Sequence, residues 1–289
     1  MGTVALANSP AYRQRRRKRR NPQNLTSIWG LGARHAKALE SIGIPDCKTL
    51  MHCDPHAVTA ALREERLATS LNQVSQWRSH AESLTTKRPV FFGDPPPVGE
   101  DFIALDLEYN SFKPHIWLIG LLVVQAGSEE HIWLWADDHN QEHANLYWLA
   151  RVMAAHPDLP ILTWAGASAD IPQLQNAAER HDALATLTPL QSRHVDLFRH
   201  ARNSVRLPVP ELSLGPFADY LRIPKTSPVR NGLQAQMQYE IYQGLRDPAR
   251  KAARKTELIA YNYDDLRALS GVLKIMLHRP ASAGVHPPG

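Results

Sequence analysis

The sequence predicts a mixed α/β fold, a sheet flanked by helices, with a small all-α module in front of it. Three observations carry that prediction. Three apolar runs, Phe102–Glu108, His115–Gln125 and Glu130–Ala136, follow one another, the last two joined by the turn residues Ala126-Gly-Ser128. They read as an antiparallel meander. Short apolar runs then alternate with helix-period segments as far as Leu277, the pattern of a sheet covered by helices. Ahead of all this, Leu25 to Leu84 carries helix caps and no strand-like alternation.

The elements follow in order. Residues 1–24 are expected to form a basic disordered tail. In 25–84, Gly30 and Gly32 flank Leu31 in a tight turn, and the next helix turns Ala36, Leu39 and Ile42 inward. Gly43 is placed to end that helix as its C′ residue. Pro45-Asp46 and Asp54-Pro55 start further short helices, since Asp caps and Pro opens a first turn. Segment 85–100 holds Pro89, Pro95, Pro96, Pro97, Gly93 and Gly99 and reads as a stiff linker. The α/β part is expected over 101–278. After the meander come a helix over Asn140–Ala155, stopped by Pro157, a strand at Ile161–Trp164, and a helix over Pro172–Arg180. A short strand at His194–Leu197 precedes helices near Ser213–Leu221, Ala235–Leu245 and Ala249–Leu277. Residues 279–289 are a Pro/Gly/Ala tail, expected to be disordered.

Composition narrows the function classes. With 289 residues and 43% hydrophobic content, the chain can bury a sizeable core. Its net charge of +5 is concentrated in one place. Arg13, Arg15, Arg16, Arg17, Lys18, Arg19 and Arg20 supply seven of the 33 cations, and residues 1–24 hold no acid, which leaves 26 cations against 28 anions elsewhere. Such an arm attracts phosphate regardless of sequence. Cys47 and Cys53 are the only cysteines, too few for a disulfide framework. No stretch approaches 18 apolar residues, and the first residues lack a signal-peptide core. A cytoplasmic protein without membrane contact is expected.

The chemistry points to carboxylates. Asp106 and Glu108 form a D-x-E in an apolar strand, where residues two apart share a face. Tyr261 and Asp265 are four apart in a helical segment and stack on one face. Asp170 lies between these motifs in the sequence. Acids on rigid elements from distant parts of the chain are what divalent metals require, and two Mg²⁺ or Mn²⁺ ions can clamp the attacking and leaving oxygens of a phosphodiester. A metal-dependent nuclease is the leading reading of these residues.

On these motifs the chain resembles the DEDD superfamily of RNase H-like 3′–5′ exonucleases. It is most similar to YprB-like domains and to those attached to RecB-like nucleases behind a helix-hairpin-helix segment. The resemblance implies an RNase H-like mixed sheet and a DEDDy-type exonuclease holding two Mg²⁺ or Mn²⁺. Asp106, Glu108, Asp170 and Asp265 would be the metal ligands, with Asp106 bridging, and Tyr261 would position the attacking water. Asp196, in His194-Val-Asp-Leu197, would support the site without binding metal. This chain has Ala165 where the second motif usually has asparagine, Ala169 where it usually has phenylalanine, and Tyr261 where YprB-like domains often have histidine. The Leu25–Ile44 segment resembles a helix-hairpin-helix module, which implies nucleic-acid contact through Gly30, Gly32, Arg34 and Lys37, beside the arm residues Arg15, Arg16, Arg17, Lys18, Arg19 and Arg20. Two alternatives stay open: a non-catalytic nucleic-acid-binding module, and an interaction subunit with a helicase or nuclease partner in a repair or defence complex.

Overall fold

The computed structural model describes residues 23–110 and 114–279. The basic run Arg13–Arg20 and the tail beyond Arg279 lie outside the described residues. Two compact units are present, and the chain does not fill them consecutively. Of the described residues, the first contains 23–94 together with 202–220 and Arg279, and the second contains 95–201 and 221–278.

In the first unit, a three-residue 3₁₀ turn, Leu25–Ser27, leads through Gly30 (φ +76°) into helix α1, Ala33–Ser41. Gly43 (φ +85°) ends α1 as expected. Its N–H donates to Glu40 O, and Ile44 N–H donates to Leu39 O, a Schellman ending that satisfies two orphan carbonyls. Asp46 caps α2, Cys47–Leu50, and Asp54 caps α3, Pro55–Glu64, with Pro55 in the first turn. Helix α4, Leu71–Thr86, packs its Val74, Trp77, Ala81 and Leu84 into a core shared with Leu25, Leu39, Leu50 and Leu62. Within the Pro-rich segment, Val90–Phe91 forms a short strand, β1. It pairs antiparallel with Val205–Arg206.

The second unit holds the expected mixed sheet. Strands β2 (Phe102–Asn110), β3 (His115–Gln125) and β4 (Ser128–Trp135) form the antiparallel meander. Ala126 (φ +51°) and Gly127 (φ +78°) make the β3–β4 turn, both in the left-handed region that two-residue hairpins need. After helix α5 (His139–Ala155), strand β5 (Ile161–Thr163) lies parallel to β2. Helices α6 (Asp170–Arg180) and α7 (Thr188–Arg193) precede β6 (His194–Asp196), which is parallel to β5. The strand order is β4-β3-β2-β5-β6. Helix α8, Leu197–Ser204, follows β6 directly and leads into β7, Val205–Arg206; sequence reading saw neither. Helices α9 (Leu214–Tyr220), α10 (Gly232–Gly244) and α11 (Pro248–Leu277) complete the chain. No helix among the described residues is long and apolar enough to cross a membrane.

Strand β2 is central, so both of its faces are covered. Ile103, Leu105 and Leu107 enter a core with Leu146 and Leu149 of α5 and Leu174 of α6. The alternate positions, Ala104, Asp106 and Glu108, turn to the other face. Helix α11 covers that face: Asn262 bonds to Asp106 and packs on Gly120 of β3, the register partner of Asp106.

Candidate active site

The site starts from a defect in the sheet. Between Glu108 and Tyr109 the β2–β3 register shifts, Glu108 opposing Leu118 and Tyr109 opposing Ile116, so Trp117 is the extra residue. Such bulges re-aim side chains at strand ends. Here the bulge lies directly beside the second acid of the D-x-E.

Asp106, Glu108 and Asp265 each offer a carboxylate oxygen, and these atoms lie within 4.8 Å of one another. Asp170 is outside that closest triad but lines the same cleft, a cavity of about 410 Å³ that also includes Tyr261, Tyr109 and Trp164. Sequence reading had placed these four acids and Tyr261 together, and the fold brings them together. Glu108 and Asp170 are buried, while Asp106 and Asp265 are half-buried.

Local structure explains each placement. Helix α11 is started by Asp247, which accepts from Arg250 N–H with Pro248 in the first turn. Its Leu258, Tyr261, Asn262, Leu266 and Leu269 form the buried stripe. Tyr261 donates its phenol proton to Asp265 one turn later. Asp264 points elsewhere: it accepts from Thr226 N–H (2.8 Å), Ser227 N–H (2.9 Å) and the Thr226 hydroxyl (2.9 Å), so its carboxylate is committed to the loop before α10. Asp170 opens α6, where the helix N-terminus favours a carboxylate. It accepts from its own N–H and from Leu107 N–H. The β2–β5 pairing reaches only Ala104, and Asp170 thereby fastens α6 to the unpaired part of β2.

The segment between β5 and α6 is held from below by Asp196. Its carboxylate accepts from Ala165 N–H (3.0 Å), Ala167 N–H (3.4 Å) and Phe198 N–H (3.1 Å). Gly166 is required here, because a Cβ would lie 2.2 Å from Thr163 Oγ1. Ala165 has φ +58°, a left-handed conformation that Asn adopts more readily than Ala.

Sequence reading missed Asn262. It is fully buried and donates through Nδ2 to Asp106 Oδ2 at 2.7 Å, with a longer contact to Asp106 O. A Cβ on Gly120 would lie 1.6 Å from Asn262 Oδ1. Gly120 is thus the space that admits Asn262. The available signal was a lone glycine in the apolar run Ile116–Val124, which marks close approach.

Electrostatics match a cation site. Asp106 is raised well above the usual carboxylate range, by burial first and then by Glu108, Asp170 and Asp265, against the Asn262 hydrogen bond. Glu108 is raised by burial and by Asp265 and Asp170. Burial pushes Asp170 up to about 7, with Asp196 adding to it, and Asp265 up to about 6, with Tyr261 opposing. The Tyr261 phenol is raised by burial and by Asp265, Glu108 and Asp106, so it stays protonated and acts as a donor. Four converging, mutually repelling oxygen-donor side chains fit hard divalent cations.

In the first unit, Gly30 and Gly32 flank the turn as expected, and Gly32, Arg34 and Lys37 are exposed. Gly32 is the N-cap of α1 and brings no side-chain acceptor to it. Among the described residues, what precedes the turn is the 3₁₀ segment Leu25–Ser27, with no full α-helix.

No curated protein and no solved structure matches this chain. The family model RNase_H_2, described as RNase H superfamily, matches residues 103–277. That span contains the five-stranded sheet from Ile103 onward and every member of the acid cleft but none of the N-terminal helices, and by it the chain belongs to the RNase H superfamily.

Proposed function

We propose that the chain is a metal-dependent nuclease of the DEDDy type, a 3′–5′ exonuclease that hydrolyses phosphodiester bonds of DNA or RNA. The observation that carries this reading is the meeting of Asp106, Glu108 and Asp265 within 4.8 Å, in one cleft with Asp170 and Tyr261. Asp106, Glu108, Asp170 and Asp265 would hold two Mg²⁺ or Mn²⁺. The chemistry such ions supply when bound is a more acidic water and neutralised charge on the leaving oxygen. The protein's own groups do the rest. The Tyr261 phenol, protonated and anchored on Asp265, orients a water or phosphate oxygen. Asn262 fixes the rotamer of Asp106, and Asp196 holds the loop that delivers Asp170.

The N-terminal unit is read as a helix-hairpin-helix-like module in which Gly30, Gly32, Arg34 and Lys37 meet phosphate. Glycine there leaves the α1 amides open to close approach. Ala165, in place of an asparagine common in related motifs, favours a second reading: a chain that binds nucleic acid without cutting it. The test is incubation with end-labelled single- and double-stranded DNA and RNA in Mn²⁺, Mg²⁺ or EDTA. Metal-dependent shortening from the 3′ end is expected. Binding without shortening on every substrate would leave the second reading.

A further inference from the structure

A second cluster of ligating groups lies outside the acid cleft. Glu142, in the first turn of α5, is 1% exposed, yet its carboxylate has four partners. Its Oε1 accepts from Ile116 N–H (2.7 Å) and Arg180 Nη2 (2.9 Å). Its Oε2 faces two imidazole nitrogens, His139 Nδ1 at 2.9 Å and His181 Nε2 at 3.0 Å. The ligand atoms of His139, Glu142 and His181 lie within 4.8 Å of one another. Two further imidazoles pack on these, His115 at 5.2 Å from the His139 ring and His143 stacked at 5.1 Å from the His181 ring. Each has a buried Nε2 with no hydrogen-bond partner among the described residues. Polar atoms left bare in this way mark a place where a water or ion belongs.

We propose that His139, Glu142 and His181 form a binding site for a borderline divalent transition metal of the Zn²⁺ class, separate from the all-oxygen cleft. Two imidazoles and one carboxylate are a donor set that Zn²⁺ prefers and Mg²⁺ does not. Zinc–nitrogen and zinc–oxygen bonds near 2.1 Å put tetrahedral ligand atoms about 3.3 Å apart. The observed 2.9 and 3.0 Å contacts need to open by only a few tenths of an ångström, which the largely exposed His139 ring can supply. The Ile116 amide and Arg180 occupy Oε1 and so leave Oε2 as the single oxygen turned to the metal, the outer-shell arrangement that fixes a ligating carboxylate. On binding, the proton that each ring directs at Oε2 moves to its other nitrogen or to solvent. The fourth position is left to water. Since His181 immediately follows α6 and Glu142 is on α5, the ion would clamp α5 to the end of the helix that presents Asp170.

The test uses the full chain, stripped of metal and titrated with Zn²⁺ against a chromogenic zinc indicator. About one equivalent is expected in wild type, and also in Asp106→Asn, which alters only the acid cleft. His139→Ala removes an exposed ligand while Ile116, Arg180 and His181 still hold Glu142, so the metal-free chain should stay folded with a modestly lower melting temperature while zinc affinity falls at least about 10²-fold. His139→Ala binding zinc as wild type does would overturn the proposal. So would loss of zinc in Asp106→Asn, or no uptake by wild type. None of these outcomes depends on nuclease activity.

Discussion

Asn262 and Gly120 decide the aim of Asp106. A buried Asn held against a glycine on the neighbouring strand leaves no room for even one extra carbon. Gly120→Ala should therefore cost about 1–3 kcal/mol by overpacking and lower any metal-dependent activity through Asp106; urea denaturation and the nuclease assay, run side by side, check both. Asp106→Ala should abolish metal-dependent degradation while sparing nucleic-acid binding. Tyr261→Phe removes one positioning donor and no metal ligand, so a loss of roughly 10²-fold to 10³-fold is expected, with measurable residual turnover. Equal loss in the two variants would show that Tyr261 is more than a positioning group. The acids were legible because a D-x-E at the end of an apolar strand is an unusual place for charge. Asn262 was not, because a polar residue on a helix looks solvent-facing until the glycine opposite it is known.

Among elements, capped helices and long strands were legible. Asp46 and Asp54-Pro55 each start a helix where the sequence placed one, since a side-chain acceptor and a fixed φ are local properties; the long helix expected from Ala249 begins one residue earlier, at Pro248 behind the cap Asp247. The pieces that escaped notice, β1, β7, α7 and α8, are two to eight residues long. Elements this short exist only through tertiary partners. Ser83 Oγ donates to Arg206 O and Gln76 accepts from Arg206 Nη2, contacts that no window of β7 alone could announce. The cap of α11 has a use of its own, because this helix carries Tyr261, Asn262 and Asp265. Asp247→Ala should lower stability by about 0.5–2 kcal/mol. Hydrogen exchange should localise the loosening to the first turns of α11, with the acid cleft four turns away unaffected.

For the molecule as a whole, the acid cleft sets a pH dependence. Asp170 at about 7 and Asp265 at about 6 hold protons in the folded state that unfolded carboxyls, near 4, release. Between about pH 4 and 7 the folded chain binds more protons, so metal-free stability should fall as pH rises through that window. Glu142, held down to about 2 by Ile116, His139, His181 and Arg180 against its burial, loses its proton near pH 4.5 only in the unfolded chain, so it opposes the trend at the acid end of the window and leaves the decline clear above about pH 5.5. Urea midpoints in EDTA at several pH values should show the decline. Mn²⁺ should reverse it near pH 7.5 and do little near pH 5. The role expected of the N-terminal arm is charge attraction: deleting residues 1–24 removes seven cations. Nucleic-acid affinity should drop for all sequences alike, and its salt slope should flatten as fewer counterions are released. An unchanged slope would assign the arm another role.

The non-consecutive first unit also constrains how the protein is made. Residues 23–94 acquire Arg206 and the β7 strand only after the ribosome has passed residue 220. The intervening stretch of about 126 residues takes roughly 6–25 s at ordinary elongation rates. For that interval His80, which accepts from Trp29 N–H and donates to Val209 O in the finished protein, has only one of its two partners. The module that emerges first is therefore completed only after all five strands of the second unit's sheet have been made, and its edge strand β1 waits unpaired while that sheet is being synthesised.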